Sequence, residues 1–163
     1  MIGITSYGAY IPWHRIDRQQ FAKAWGGFAI PGERAVAYYD EDCLTMAVEA
    51  ALDCIRDVDP SIVDSLLFAT TTSPYKEKLC SATMALALHL RRDIQTADIS
   101  GSLRCGTTAL AFALDAVKAG RASNVLVAAS DTRMAPPAGF NEQALGDGAG
   151  AILLGKKNVI AEI

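Results

Sequence analysis

One cysteine stands where a short extended segment gives way to a long apolar one: Cys105, in Thr96-Ala97-Asp98-Ile99-Ser100-Gly101-Ser102-Leu103-Arg104-Cys105-Gly106-Thr107-Thr108. In the first turn of a helix a cysteine meets unpaired backbone N–H groups and the positive end of the macrodipole, both of which favour thiolate over thiol. Thiolate is the nucleophilic form of sulfur, and helix N-termini are a recurrent setting for a lowered cysteine pKa. The competing role is that of a small buried hydrophobe, which free cysteines commonly fill.

Other chemistry-bearing types are sparse. Cys43, Cys54 and Cys80 form no C-x-x-C pair with one another or with Cys105, which argues against a zinc site or a thioredoxin-like motif. Cys43 and Cys54 share a predicted helix, whose rise sets them roughly 16 Å apart, too far for a disulfide. The two histidines, His14 beside Trp13 and His89 near a predicted helix end, read as structural. Gly146-Asp147-Gly148-Ala149-Gly150-Ala151 opens a strand; its glycines permit positive φ or close backbone approach, and Asp147 can bond nearby N–H groups. Because these glycines precede a strand instead of joining strand to helix, a dinucleotide fingerprint fits poorly.

The elements that must position Cys105 follow from hydrophobic spacing. Ile2–Ile11 reads as a strand. Asp17 can cap a short helix through Trp25, closed by Gly26-Gly27, and 28–39, with Pro31-Gly32, reads as a loop. Leu44, Ala47, Val48, Ala51, Cys54 and Ile55 keep helical spacing in a helix entered at Asp40–Asp42 and running to about Asp57. Asp59-Pro60-Ser61 punctuates, and Leu66–Thr70 is a compact strand. Ser81–Leu90 is a helix, Gln95–Ser100 a strand, and Leu103–Gly120 a helix apolar enough to be buried on nearly every side. Asn124–Ser130 is a strand apolar on both faces. A loop with Pro136-Pro137 follows, then a strand over Asp147–Gly155, and Asn158–Ile163 looks like the start of one more. Strands alternating with helices predict βαβ units and a largely parallel sheet covered on both faces.

With 51% apolar and 20% charged residues among 163, the chain is expected to form one domain with a sizeable core. Fifteen basic against 18 acidic residues, net −3, point away from nucleic acid and anionic membranes as partners. No run reaches the roughly 18 apolar residues of a membrane span, and the first residues lack a secretory layout. Unpaired cysteines suit a reducing cytoplasm, the expected location.

Taken in order, these segments resemble the amino-terminal half of thiolase-superfamily condensing enzymes, in particular 3-hydroxy-3-methylglutaryl-CoA synthase and type III β-ketoacyl-ACP synthase. Gly8-Ala9-Tyr10-Ile11-Pro12 resembles the opening strand, and Asp42-Cys43-Leu44-Thr45-Met46-Ala47-Val48-Glu49-Ala50-Ala51 the first long helix. Phe68-Ala69-Thr70-Thr71-Thr72-Ser73 is similar to the strand end that enters the active site. Ser130-Asp131-Thr132 and Gly146–Ala151 complete the series, and Cys105 falls where the family's acylated cysteine lies.

The resemblance implies an α/β fold: one βαβαβαβ half of a thiolase-like molecule, with a mixed, mostly parallel sheet covered by helices and one helix buried between layers. Residues 1–163 would be the amino-terminal half, the carboxy-terminal half being absent from this chain. It implies an acyltransferase that makes or breaks a carbon–carbon bond between acyl thioesters through an acyl group on Cys105, in the manner of the hydroxymethylglutaryl-CoA or the ketoacyl synthases. The Cys105 N–H would contribute to an oxyanion hole. No permanently bound cofactor is implied; CoA or acyl carrier protein brings the substrate.

The hydroxymethylglutaryl-CoA synthases carry a general-acid/base glutamate where Thr71 stands. Threonine takes up no proton near neutral pH, so Claisen chemistry or its reverse fits this chain better than aldol-type synthesis. The family's catalytic histidine lies in the carboxy-terminal half, and neither His14 nor His89 matches it. Either the sequence is a piece of a longer protein or a second polypeptide supplies that half. In the second case the chain would be a non-catalytic subunit completing a partner's site. A homodimer paired through 95–100 is also implied, and Trp25 and Arg34 are candidates for nucleotide contact beside ordinary surface packing.

Overall fold

Alternation within the strands decides which helix covers which face of the sheet, so the fold grows from the central pair. In a computed structural model describing residues 1–163, β4 (Ser65–Ala69) is buried along its whole length. Leu66 and Phe68 point to one face, against α2 (Cys43–Cys54) and α3 (Cys80–Ala87). Leu67 and Ala69 point to the other, against α4 (Cys105–Lys118). The period of two in a strand sends neighbours to opposite faces.

The sheet has six strands in the order β5-β4-β6-β7-β1-β8. β5 (Gln95–Ile99), β4 and β6 (Val125–Asp131) are parallel, and β7 (Gly148–Gly155) runs against both β6 and β1 (Gly3–Tyr10). The two-residue β8 (Ala161–Glu162) closes on the outer edge of β1. Four strands, β5, β4, β6 and β1, therefore share one direction, and the sheet is mixed and mostly parallel as expected.

The long helix α2 begins at a reciprocal cap: Asp42 Oδ1 accepts from the Thr45 N–H at 2.8 Å, and Thr45 Oγ1 accepts from the Asp42 N–H at 2.8 Å. Gly8 lets β1 lie directly on this helix, since a Cβ there would collide with the Cys54 nitrogen and the Ala50 carbonyl oxygen.

Three expectations are corrected. The 28–39 loop contains a strand: β3 (Glu33–Val36) pairs antiparallel with β2 (His14–Asp17), the two forming a separate small sheet. Their partner lies across a sequence gap that local spacing does not reveal. The first helix, α1, spans Gln19–Trp25 and starts after Asp17, which ends β2 while its Oδ1 accepts from the Gln19 N–H at 3.0 Å. A short helix, α5 (Phe140–Ala144), interrupts the Pro136-Pro137 loop. No helix is long and apolar enough to cross a membrane.

The central helix differs most from expectation. Only Cys105, Ala109, Ala113 and Val117, spaced by four, are buried along α4, whereas Phe112 is 56% exposed and Leu103, just before the helix, 79%. The apolar content of the helix exceeds the surface that this chain provides to cover it.

Candidate active site

The carboxyl ends of the parallel strands β4 and β6, the start of β7 and the amino end of α4 converge on one open cavity of about 700 Å³. Open α/β sheets bind ligands at this end, where loops leave the strands. Cys105, Gly106, Ser130, Asp131, Arg133 and Asp147 are among its walls. Cys105 is the first residue of α4 and is 6% exposed.

Its protonation differs from the sequence-based expectation. Burial pushes the Cys105 thiol above its ordinary range, and the Asp131 carboxylate adds to the effect. The Gly106 and Cys105 amides and the Arg133 charge pull the other way without offsetting it. The helix terminus does aim amides at the sulfur, but desolvation outweighs them. The Cys105 N–H is itself donated to the Ser102 carbonyl at 3.0 Å, so the backbone donor expected for an oxyanion hole already has a partner.

The opposite wall is set by strand register. β4 and β6 pair from Ser65↔Val125 to Ala69↔Ala129, and two further residues bring Thr71 opposite Asp131. Asp131 Oδ1 accepts from the Thr71 N–H at 2.6 Å and from the hydroxyls of Thr70, Thr71 and Thr72 at 3.0 Å each. Thr72 Oγ1 in turn accepts from the Thr132 N–H at 3.0 Å. Arg133 Nη1 donates to Thr71 Oγ1 at 3.1 Å and lies 3.7 Å from Asp131 Oδ2. Thr71, at the position where the resemblance places a glutamate, is therefore held by an anion and touched by a cation.

Asp147 bonds nearby N–H groups, as expected, but across long sequence distances. Its oxygens accept from the Arg133 N–H and the Ala37 N–H at 2.8 Å each, and its own N–H donates to the Ala35 carbonyl at 3.1 Å. One carboxylate thus ties the end of β6, the start of β7 and the segment after β3. Gly146 serves close approach, since a Cβ there would lie 3.3 Å from the Ala35 carbonyl oxygen; its φ is not positive.

Asp131 was visible in the sequence only as part of Ser130-Asp131-Thr132, and Arg133 carried no signal, because the partners of both lie about sixty residues away. The remaining candidates are elsewhere. His14 stacks on Tyr38 with ring centroids 4.2 Å apart, and His89 sits at φ 54° after α3; neither lines the cavity. Cys43, Cys54 and Cys80 are buried, and burial raises all three thiols, Cys54 to about 11. Arg34 is occupied with the Glu142 carbonyl and the Phe21 ring, 5.9 Å from its guanidinium carbon. Trp25, at the end of α1, is 54% exposed.

A mixed sheet covered by helices, with a cysteine at the amino end of one helix facing the carboxyl ends of parallel strands, defines a thiolase-like α/β fold. The priming β-ketosynthase of the R1128 polyketide pathway matches 98% of this chain with a TM-score of 0.85 and 25% identity, this chain covering 51% of it. MvaS, solved in complex with 3-hydroxy-3-methylglutaryl coenzyme A, matches 96% with a TM-score of 0.87 and 27% identity, 40% of that chain being covered. Among curated proteins, the hydroxymethylglutaryl-CoA synthases of Caldivirga maquilingensis and Thermococcus onnurineus are 34% and 32% identical over 99% and 96% of this chain. The chain spans about half the length of these curated relatives, 49% and 46%. No family model matches it. Over nearly its whole length the chain is similar to these thiolase-like condensing enzymes, and its sequence fits their amino-terminal half.

Proposed function

We propose that the chain is the amino-terminal half of a condensing enzyme that accepts an acyl group on Cys105 from a CoA-linked donor and forms or cleaves a carbon–carbon bond to a second acyl thioester. The observation that supports it most is the placement of Cys105: a buried thiol at a helix start, on the wall of a cavity large enough for a pantetheine-linked acyl group. In the transfer step the sulfur of Cys105 forms the new C–S bond, the bond to the CoA sulfur breaks, and the proton of Cys105 leaves with the CoA thiol. Because the thiol is raised, it reacts through a base that takes its proton, and the carboxy-terminal half is the expected source of that base.

Thr71 supplies no acid or base, which favours Claisen condensation or its reverse over hydroxymethylglutaryl synthesis. Acyl carrier protein as the substrate carrier is the variant that the ketosynthase likeness favours. The exposed flank of α4 is the surface that the second half would cover, and the free edge of β5 is where two copies would pair. Intact mass after incubation with acyl-CoA donors, with the second half present, tests the reading. An acyl adduct that disappears in Cys105→Ala is expected, and an adduct that persists in that variant would overturn it.

A further inference from the structure

Among the charged side chains lining the cavity, Arg133 alone keeps most of its hydrogen-bonding capacity free. Asp131 Oδ1 accepts from four donors, and Asp147 accepts from two backbone N–H groups. A guanidinium offers five N–H donors in a planar fork. One of them reaches Thr71 Oγ1, and the 3.7 Å approach to Asp131 Oδ2 is longer than a hydrogen bond. The side chain is 26% exposed and fixed at its base, because its backbone N–H is held by Asp147. Thr71 and Asp131 both meet the fork at Nη1, and Arg133 lines the same cavity as Cys105.

We propose that Arg133 receives a carboxylate carried by the acyl group, so that the donor is the thioester of a dicarboxylic acid. This rests on Cys105 being the acyl acceptor. A planar fork pairs a carboxylate through two parallel N–H···O bonds, which a lysine cannot reproduce. The carboxylate takes no part in the transfer; it orients the acyl chain so that the thioester carbon faces the sulfur. Where the synthase pattern would place a glutamate in the wall, this chain places Thr71 beside the Asp131–Arg133 pair, so the one cationic group lining the cavity stands at that position.

Two measurements on the full chain test this separately from acyl transfer. The first compares alkylation of Cys105 by iodoacetate and by iodoacetamide, located by peptide mass mapping. Arg133→Gln lowers the iodoacetate-to-iodoacetamide rate ratio by about tenfold, and Arg133→Lys, which keeps the charge without the fork, by about threefold. An unchanged ratio in both variants overturns the carboxylate site. The second compares Cys105 adducts from succinyl-CoA and butyryl-CoA, with the second half present. Succinyl transfer favoured by about tenfold, with the preference lost in Arg133→Gln, supports the proposal, and a butyryl preference overturns it. Failure of both donors alongside a shifted alkylation ratio removes the acyl-transfer reading and keeps the carboxylate site.

Discussion

The two faces of the central sheet are built from similar residues and finished differently. On one face α2 and α3 seal nineteen buried residues, with Cys43, Ala47, Ala50, Phe68 and Met84 fully buried. On the other, α4 covers nine, and its outward side leaves Phe112 and the adjoining Leu103 in solvent. The closed face has its cap, its close-packed glycine and its own apolar partners within this chain. The open face holds the cysteine. Cys105 is the first residue of this partly uncovered helix.

Changes on the closed face should therefore cost most. Phe68→Ala removes the largest fully buried side chain and should lower unfolding free energy by about 3–5 kcal/mol, measured by urea denaturation. A loss under about 1 kcal/mol would mean that this face is looser than its burial indicates. Gly8→Ala pushes a methyl group into the backbone of α2 and should cost about 1–3 kcal/mol, seen as a lower melting temperature.

A third test uses pH. The folded pKa of Cys54 is raised to about 11 by burial, so its stabilising contribution is complete below the unfolded thiol pKa and is lost as pH rises through the folded value. Between about pH 8.5 and 11 stability should fall by about 1.4 kcal/mol per pH unit from this thiol. The slope should shrink in Cys54→Ala, as followed by denaturant midpoints. On the open face, Phe112→Ser should change stability by no more than about 0.5 kcal/mol while reducing self-association in light scattering. A large loss of stability there would erase the distinction between the faces.

The sequence carried the fold further than it carried the site. Helical spacing from Leu44 to Ile55 placed α2, and short continuous apolar runs placed β4 and β6, because both signals are local to one element. The pair β2 and β3 escaped notice, since four-residue strands offer too little periodicity and find each other across α1 and the segment after it. Cys105 was legible from its junction alone. The Asp131–Thr71–Arg133 wall was not, because those side chains meet only through the parallel register of β4 and β6.

The residue order by itself determined the alternating α/β plan, the superfamily likeness and the junction at which Cys105 stands, since these depend on spacing and on residues adjacent in the chain. The tertiary structure alone decided the state of that cysteine, where burial and the Asp131 charge overcome the helix terminus, and it decided which side of α4 is covered. Desolvation and the meeting of distant charges depend on packing in three dimensions, which local spacing does not encode.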